Sequence, residues 1–459
     1  MASAPAPLRP VPGPPGLPLL GNLPEFGKDP QAFFVRLREE FGDCVTWSLG
    51  RRRCLLVSHP THIAELFRSV GHGYETTFLT WPIKQTLGNS VLLSHGSDWR
   101  RKRGLVQPVL RPRQVRGYAP RMIECATALA DRWHGGERID VQREMAELTQ
   151  RVVLRTLFGD DLGPSARVLG DAMAVGQRQV AAELRGFGLF LPPWARTPGR
   201  LRLLGAVRVL DAEIHRLVGA RRAELESGAP PRDDVVSRLL AARDEDGRAL
   251  TDVEVRDEAA TLWIGGHETT STLLTWTWYL LSAHPHSREH LDEELDRVLG
   301  GRPPAVGDYE RLDWTRHIIQ EALRLYPPAW AVKVTAQPGA TLGGTAIRAG
   351  TLVWCSMWAA HRDPRWYPEP DAFRPQRWRA DAPDAERDRV WFPFGGGQRA
   401  CLGARFAQVE AALVLATLAQ RFTLNCEPGE PGGPAQPATR TGALLQPARP
   451  LHATLTART

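Results

Sequence analysis

The sequence predicts a mainly α chain with a small β region. Across residues 97–300 nearly every stretch repeats apolar residues at helical spacing. Segments short enough and alternating enough for strands cluster towards the ends, at 44–58, 331–353 and 425–459. Neither an internal repeat nor a linker divides the chain, so residues 1–459 read as a single domain.

Residues 1–20 are rich in Pro and Gly and predict an extended segment, frayed at its start. Asp29–Gly42 reads as an amphipathic helix with an acidic start and a glycine stop. Cys44–Ser58 reads as two short strands around a Gly-Arg turn, and Pro60–Ser69 as a short helix. Residues 70–95 keep no clean period and form a long irregular segment, of a kind often functional. Helices are expected over about 97–110, 119–134, 139–158, 166–185, 200–227, 232–243, 251–283 and 286–299. Trp314–Leu325 is another helix, stopped by Pro327 and Pro328. Pro364–Phe394 is irregular, and Leu402–Phe422 is a clear helix.

The formal net charge is +7, carried almost wholly by arginine, since the lysines are Lys28, Lys84, Lys102 and Lys333. The basic residues are scattered, with no aromatic-interleaved patch, so nucleic acid is not an expected partner. No apolar run reaches the length of a membrane span, and the N-terminus lacks the order of a secretory signal, so a cytoplasmic protein is expected. The cysteines are Cys44, Cys54, Cys125, Cys355, Cys401 and Cys426. They form no Cys-x-x-Cys pair, fit a reducing compartment, and five of them read as small buried hydrophobes.

Cys401 is different. It closes the string Phe394-Gly-Gly-Gly397-Gln-Arg399-Ala-Cys401-Leu-Gly403 just before a strong helix. Glycines there allow a turn that approaches a flat ligand closely. A thiolate at a helix start is stabilised by free amides and the dipole. Arg399 can pair with a carboxylate of the ligand, and Phe394 can shield the sulfur from water. A phosphate loop fails on order, because no Lys-Ser or Lys-Thr follows the glycines. An inert buried cysteine beside a helix stays open. A second string, Gly265-Gly266-His267-Glu268-Thr269-Thr270, lies midway along a long apolar helix. Two glycines there cost about 1 kcal/mol each relative to alanine, which calls for a reason. One reason is space for a flat ligand and a diatomic beside an acid and a hydroxyl; the other is helix packing.

The first string resembles the haem-binding segment of the cytochrome P450 family, Phe-x-x-Gly-x-Arg-x-Cys-x-Gly, at every fixed position. The second resembles the family's acid–alcohol pair, with Glu268 the acid and Thr269 the alcohol; His267 has no assigned role. Glu321-Ala-Leu-Arg324 and the later Pro375-Gln-Arg377 resemble its Glu-x-x-Arg and Pro-x-Arg network, a structural triad of Glu321, Arg324 and Arg377. Trp99 and Arg103 resemble its Trp-x-x-x-Arg contact to the haem propionates, with His95 a further candidate. Arg100, Arg101 and Lys102 between them read as a solvated basic face. Lys333 falls near, but off, the position where many relatives place another propionate contact.

The resemblance covers about residues 10–455 and implies the family's triangular-prism fold. It implies haem b bound through Cys401, with Gly397 and Gly403 shaping the loop. It also implies O2 and NAD(P)H-derived electrons delivered by a ferredoxin and its reductase, docking near Arg100, Arg101, Lys102 and Arg405. The expected activity is hydroxylation or epoxidation of a lipophilic small molecule, a polyketide, terpenoid or fatty-acid-derived compound of bacterial secondary metabolism. A peroxide-driven or isomerising haem-thiolate enzyme is the alternative, and a haem sensor or electron carrier the non-enzymatic one. Trp81, Leu262, Gly266, Ala329 and Trp330 are expected to line the substrate space, with Phe187 and Phe190.

Overall fold

A computed structural model describes residues 11–77, 81–159, 165–185, 191–192, 194–230, 232–382, 390–427 and 437–458. The first ten residues, Phe187 and Phe190 therefore lie outside the described residues. In chain order the elements are α1 (Leu23–Lys28), α2 (Pro30–Phe41), β1 (Cys44–Leu49), β2 (Arg52–Val57), α3 (Pro60–Ser69), β3 (Tyr74–Thr76), α4 (Trp81–Leu87), α5 (Gly96–Val106), α6 (Pro112–Ala130), β4 (Arg138–Asp140), α7 (Val141–Phe158), α8 (Ser165–Arg185), α9 (Pro198–Glu226) and α10 (Val235–Ala241). They continue with α11 (Asp252–Ala283), α12 (Pro285–Leu299), α13 (Asp313–Leu325), β5 (Ala331–Ala336), β6 (Thr341–Leu342), β7 (Thr345–Ala346), β8 (Leu352–Ser356), α14 (Met357–Ala360), α15 (Ala404–Ala419), β9 (Phe422–Cys426), β10 (Thr439–Thr441), β11 (Leu445–Pro447) and β12 (His452–Ala457).

Contacts divide the chain into two compact units. The first gathers Met1–Thr77, Gln320–Cys401 and Leu444–Gln446. Its centre is a five-stranded sheet in the order β1-β2-β8-β5-β3, mixed because β2 pairs parallel with β8 while the other neighbours are antiparallel. Gly50, at φ +60°, supplies the left-handed residue that lets β1 turn back into β2. Asp29 caps α2 by accepting the Gln31 and Ala32 amides, and Gly42 ends it, as expected. Phe26, Phe33, Phe34, Trp47, Trp330 and Trp354 pack edge-on and tilted with centroids 5.1–6.0 Å apart.

The second unit gathers Phe78–Ile319, Leu402–Ala443 and Pro447–Thr459. It holds most of the helices and the three-stranded sheet β4-β12-β9. The longest helix, α11, starts with a full capping box: Thr251 accepts the Glu254 amide and Glu254 accepts the Thr251 amide. Its residues Leu273, Leu274, Trp276, Trp278, Leu280 and Leu281 are buried, so its C-terminal part is enclosed almost all round. α15 is buried without interruption from Val409 to Ala419. Helix α6 corrects an expectation: it starts at Pro112, not at 119. Pro112 occupies the first turn, where proline is well placed, and Pro120 is tolerated inside the helix.

Candidate active site

The loop before α15 is built by its glycines. Gly395 and Gly397 sit at φ +67° and +63°, where side chains are strained. A Cβ on Gly397 would stand 2.3 Å from the Phe67 carbonyl oxygen, and one on Gly396 would stand 2.9 Å from the Phe67 ring. The close approach that demands glycine is thus to the C-terminal end of α3. The turn then brings the Cys401 amide 2.9 Å from the Phe394 carbonyl, which it donates to. The Phe394 ring packs edge-on against Trp391 at 6.0 Å. Arg399 ends the short 3-10 turn Gly397–Arg399, half-buried. Gly403 is the N-cap of α15, its carbonyl accepting the Ala407 amide at 2.8 Å.

Cys401 is the exposed cysteine of the six; Cys54, Cys125 and Cys355 are buried, Cys44 and Cys426 half-buried. Burial pushes the thiols of Cys44, Cys54 and Cys426 up to about 11 and that of Cys355 up to about 12, and it raises Cys125 too. Those five are held as thiols. Among the described residues no group of three or more His, Cys, Asp or Glu could hold a metal ion. A site with one accessible sulfur on a glycine loop fits an iron whose remaining ligands are supplied mainly by a macrocycle and not by the protein.

Glu321 anchors the segment that leads to this loop. It is fully buried, and its two oxygens accept five donors. Arg324 reaches Oε1 at 2.7 Å and Oε2 at 2.9 Å; the Arg374 amide and Arg377 Nε reach Oε1 at 3.0 and 3.3 Å; Trp378 Nε1 reaches Oε2 at 2.9 Å. Arg324 spends its remaining donors on the carbonyls of His361, Pro370 and Ala372, and lies 4.9 Å from the Tyr367 ring centroid. The three expected residues are brought together; Trp378 and the Arg374 amide were missed, since neither carries a charge pattern to read.

In the second unit, the glycine–acid–alcohol string does two jobs on two sides of α11. A Cβ on Gly265 would meet nothing within 4 Å, whereas one on Gly266 would stand 2.9 Å from Val153 of α7. Gly266, expected to line the substrate space, is a helix-packing residue instead. His267 belongs to the same seam: it is buried, and Thr149 Oγ1 lies 3.1 Å from both its Nδ1 and its carbonyl. Burial holds His267 neutral, down to about 4. The Thr269 hydroxyl donates back to the Gly265 carbonyl. Burial pushes Glu268 up to about 7. Glu410, the one acid of α15, lies towards Thr270 and is raised well above the ordinary carboxylate range, so it is held neutral. Its one sequence signal is a lone acid on an apolar helix.

On α5, Trp99 is buried, Arg103 half-buried with Nε 3.4 Å from Gln107 Oε1, and His95 is the exposed N-cap residue. The basic run between them is not a solvated face. Lys102 is 2% exposed and donates to Asp98 at 2.8 Å, and Arg101 donates to Asp244 at 2.9 Å and Glu254 at 2.7 Å. Only Arg100 of the three is exposed. Lys333 lies over the Trp354 ring at 5.1 Å, and burial lowers its pKa. Trp330, expected on the substrate wall, is 7% exposed and packs on Phe34 at 6.0 Å, a core position. Ala329 is half-buried against the core of the same unit, Leu262 is half-buried on α11, and Trp81 begins α4 under the Arg200 guanidinium at 5.0 Å. No helix among the described residues is long and apolar enough to cross a membrane.

A family model described as Cytochrome P450 matches residues 11–454. The chain is 35% identical over 425 residues to cyclooctatin synthase of Streptomyces melanosporofaciens, covering 91% of this chain and 90% of that protein. It is 34% identical to cyclooctat-9-en-7-ol 5-monooxygenase of the same organism, covering 91% and 90%. It is 32% identical to pentalenene oxygenase of Streptomyces avermitilis, covering 97% of each. With the thiol loop, the buried carboxylate network and the acid–alcohol helix in place along a chain matched almost end to end, this protein belongs to the cytochrome P450 family, the haem b monooxygenases that use O2 and NAD(P)H-derived electrons.

Proposed function

We propose that this chain, acting as one catalytic domain in the bacterial cytoplasm, oxidises a lipophilic terpenoid of secondary metabolism. The relatives named for cyclooctatin, cyclooctat-9-en-7-ol and pentalenene support terpenoid chemistry over the polyketide and fatty-acid readings. Electrons reach it from a redox partner, a ferredoxin with its reductase. Of the four basic residues expected to meet that partner, Arg100 and Arg405 are retained; Arg405 lies over the Tyr309 ring and pairs with Glu310.

The observation that carries the reading is the single accessible sulfur of Cys401 on its glycine loop. Bound haem b supplies the activation of O2, one oxygen atom going to a C–H bond or an alkene and the other to water. Cys401 would hold the haem iron through its thiolate, and Arg399, Trp99, Arg103 and His95 would hold the propionates. Phe394 shields the sulfur, and its carbonyl fixes the Cys401 amide. Glu268, pushed by burial to about 7, can both hold and release a proton at neutral pH, which is what a proton donor needs. Thr269, whose hydroxyl donates to the Gly265 carbonyl, keeps its hydroxyl oxygen available as an acceptor. The acid–alcohol pair favours O2-dependent turnover over peroxide-driven, isomerising, sensing or carrier roles. The test is Cys401→Ser. The reduced carbon-monoxide complex should lose the thiolate Soret band, and an unchanged band removes the assignment.

A further inference from the structure

Three successive side chains near the start of α11 grip one short stretch of backbone. Arg256 donates to the Thr86 carbonyl at 2.9 Å, Asp257 accepts the Asn89 amide at 2.8 Å, and Glu258 accepts the Val91 amide at 2.7 Å. Lys102 of α5 donates to the Asn89 carbonyl at 2.5 Å. All four of these charged side chains are buried, Glu258 completely. Gly88, at φ +56°, completes the fit: a Cβ there would stand 2.1 Å from an Asp257 carboxylate oxygen. Arg256 also pairs with Asp257 at 2.9 Å and reaches Asp211 of α9 through Nε at 2.6 Å.

Burying four ionisable side chains to hold six residues is a poor route to stability, because desolvation offsets much of the attraction. It is a good route to a fixed register. The stretch joins α4, which carries Trp81, to α5, which carries Trp99 and Arg103. The other end of α4 is held as well, by the Arg200 guanidinium over Trp81. We propose that Glu258, with Arg256 and Asp257, is a positioning residue for substrate: it sets the register of the segment 81–93, and with it the wall the substrate meets, without touching substrate. This rests on the reading of the chain as a haem-thiolate monooxygenase whose α4 borders the substrate space.

Ionisation adds a handle. Burial pushes Glu258 up to about 8; Lys102 from α5 opposes this, and Asp257 and Glu254 on its own helix add to it. The Val91 amide therefore meets a neutral acid below that pH and a carboxylate, the stronger acceptor, above it.

The test uses haem-loaded protein and two iron ligands, imidazole and 4-phenylimidazole, titrated by the Soret shift. Imidazole needs only the iron; the phenyl group also needs the wall. Glu258→Ala should weaken 4-phenylimidazole about tenfold or more, the scale of a buried amide left without its acceptor, and leave imidazole within about twofold. Gly88→Ala, made from the loop side, should do the same. Between pH 6.5 and 9 the parent's ratio of the two affinities should change with a midpoint near 8. Glu258→Gln, which keeps an acceptor and loses the proton, should flatten that profile. If both ligands weaken alike in Glu258→Ala, or neither does, the positioning role is overturned. A parent without a thiolate Soret band overturns the monooxygenase reading and this inference together; a parent with it and an unchanged ratio overturns this inference alone.

Discussion

Glu321 and Glu410 are both fully buried yet should respond very differently to the same change. In Glu321→Gln the side-chain volume is kept and the charge is lost. Five donors converge on that carboxylate, three of them on the guanidiniums of Arg324 and Arg377. A glutamine can still accept at one oxygen. Its NH2 faces donors on the other side, either Arg324 Nε and Trp378 Nε1 or the Oε1 group. The remaining partners of Arg324 and Arg377 are the carbonyls of His361, Pro370, Ala372 and Glu369, which carry no net charge. Breaking a buried pair by removing one partner's charge costs about 3–5 kcal/mol. With an unfolding entropy of about 2.1 cal/mol/K per residue, about 4 kcal/mol moves the Tm of a two-state chain this long by roughly 4 °C. Glu410 provides the control. It is also 0% exposed, but burial holds it neutral with no guanidinium to satisfy, so Glu410→Gln should cost less than about 1 kcal/mol. Urea unfolding of both variants, with haem content read alongside, decides the matter. Equal costs for the two substitutions would refute the reasoning, because it would mean that burial alone, and not the paired charge, sets the penalty.

Further outcomes follow from the same geometry. Gly266→Ala should destabilise the fold by about 1–3 kcal/mol through its clash with Val153, whereas Gly265→Ala meets no protein atom and should stabilise the helix by up to about 1 kcal/mol while weakening 4-phenylimidazole; equal melting shifts would contradict the two-sided reading. Burial holds His267 down to about 4 and His361 down to about 3, so the unfolded chain binds protons near pH 6.5 that the folded chain refuses. Stability should therefore fall as pH drops through that window, each histidine contributing about 2 kcal/mol of loss by pH 5. His267→Asn should recover its share in urea unfolding at pH 5, and no recovery would argue against a neutral histidine. Turnover with ferredoxin, reductase and NADPH should decline above pH 7 as Glu268 loses its proton, and Glu268→Gln should lower the rate by ~10²-fold or more with a flat profile in that range; a retained slope would assign the titration elsewhere.

What the sequence disclosed and what it hid divide along a physical line. Backbone-determined features were legible. The glycines of 395–397 mark a loop that only glycine can make, and Asp29, Thr251 and the paired prolines after α13 mark helix ends. α9 and α11 fall within a few residues of expectation, because caps and periodicity act locally. Side-chain partners across the fold were less legible. Arg101 and Lys102 look like a wet basic run, but their acids come from Asp98, Asp244 and Glu254, and all but Asp98 lie far along the chain. Trp330 looks like a pocket aromatic because nothing local reveals Phe34 beside it. The glycine pair of α11 hid a division of labour for the same reason: the partner of Gly266 is Val153, on another helix.

The contrast among the cysteines has a practical consequence. Five thiols are buried or half-buried with pKa values raised by their surroundings, so they react slowly with alkylating reagents. The sixth is the one that iron would occupy. A brief pulse of iodoacetamide, followed by mass spectrometry of the peptide around Cys401, would then count the molecules in a preparation that lack their cofactor. The chain carries its own gauge of haem loading, independent of any spectrum.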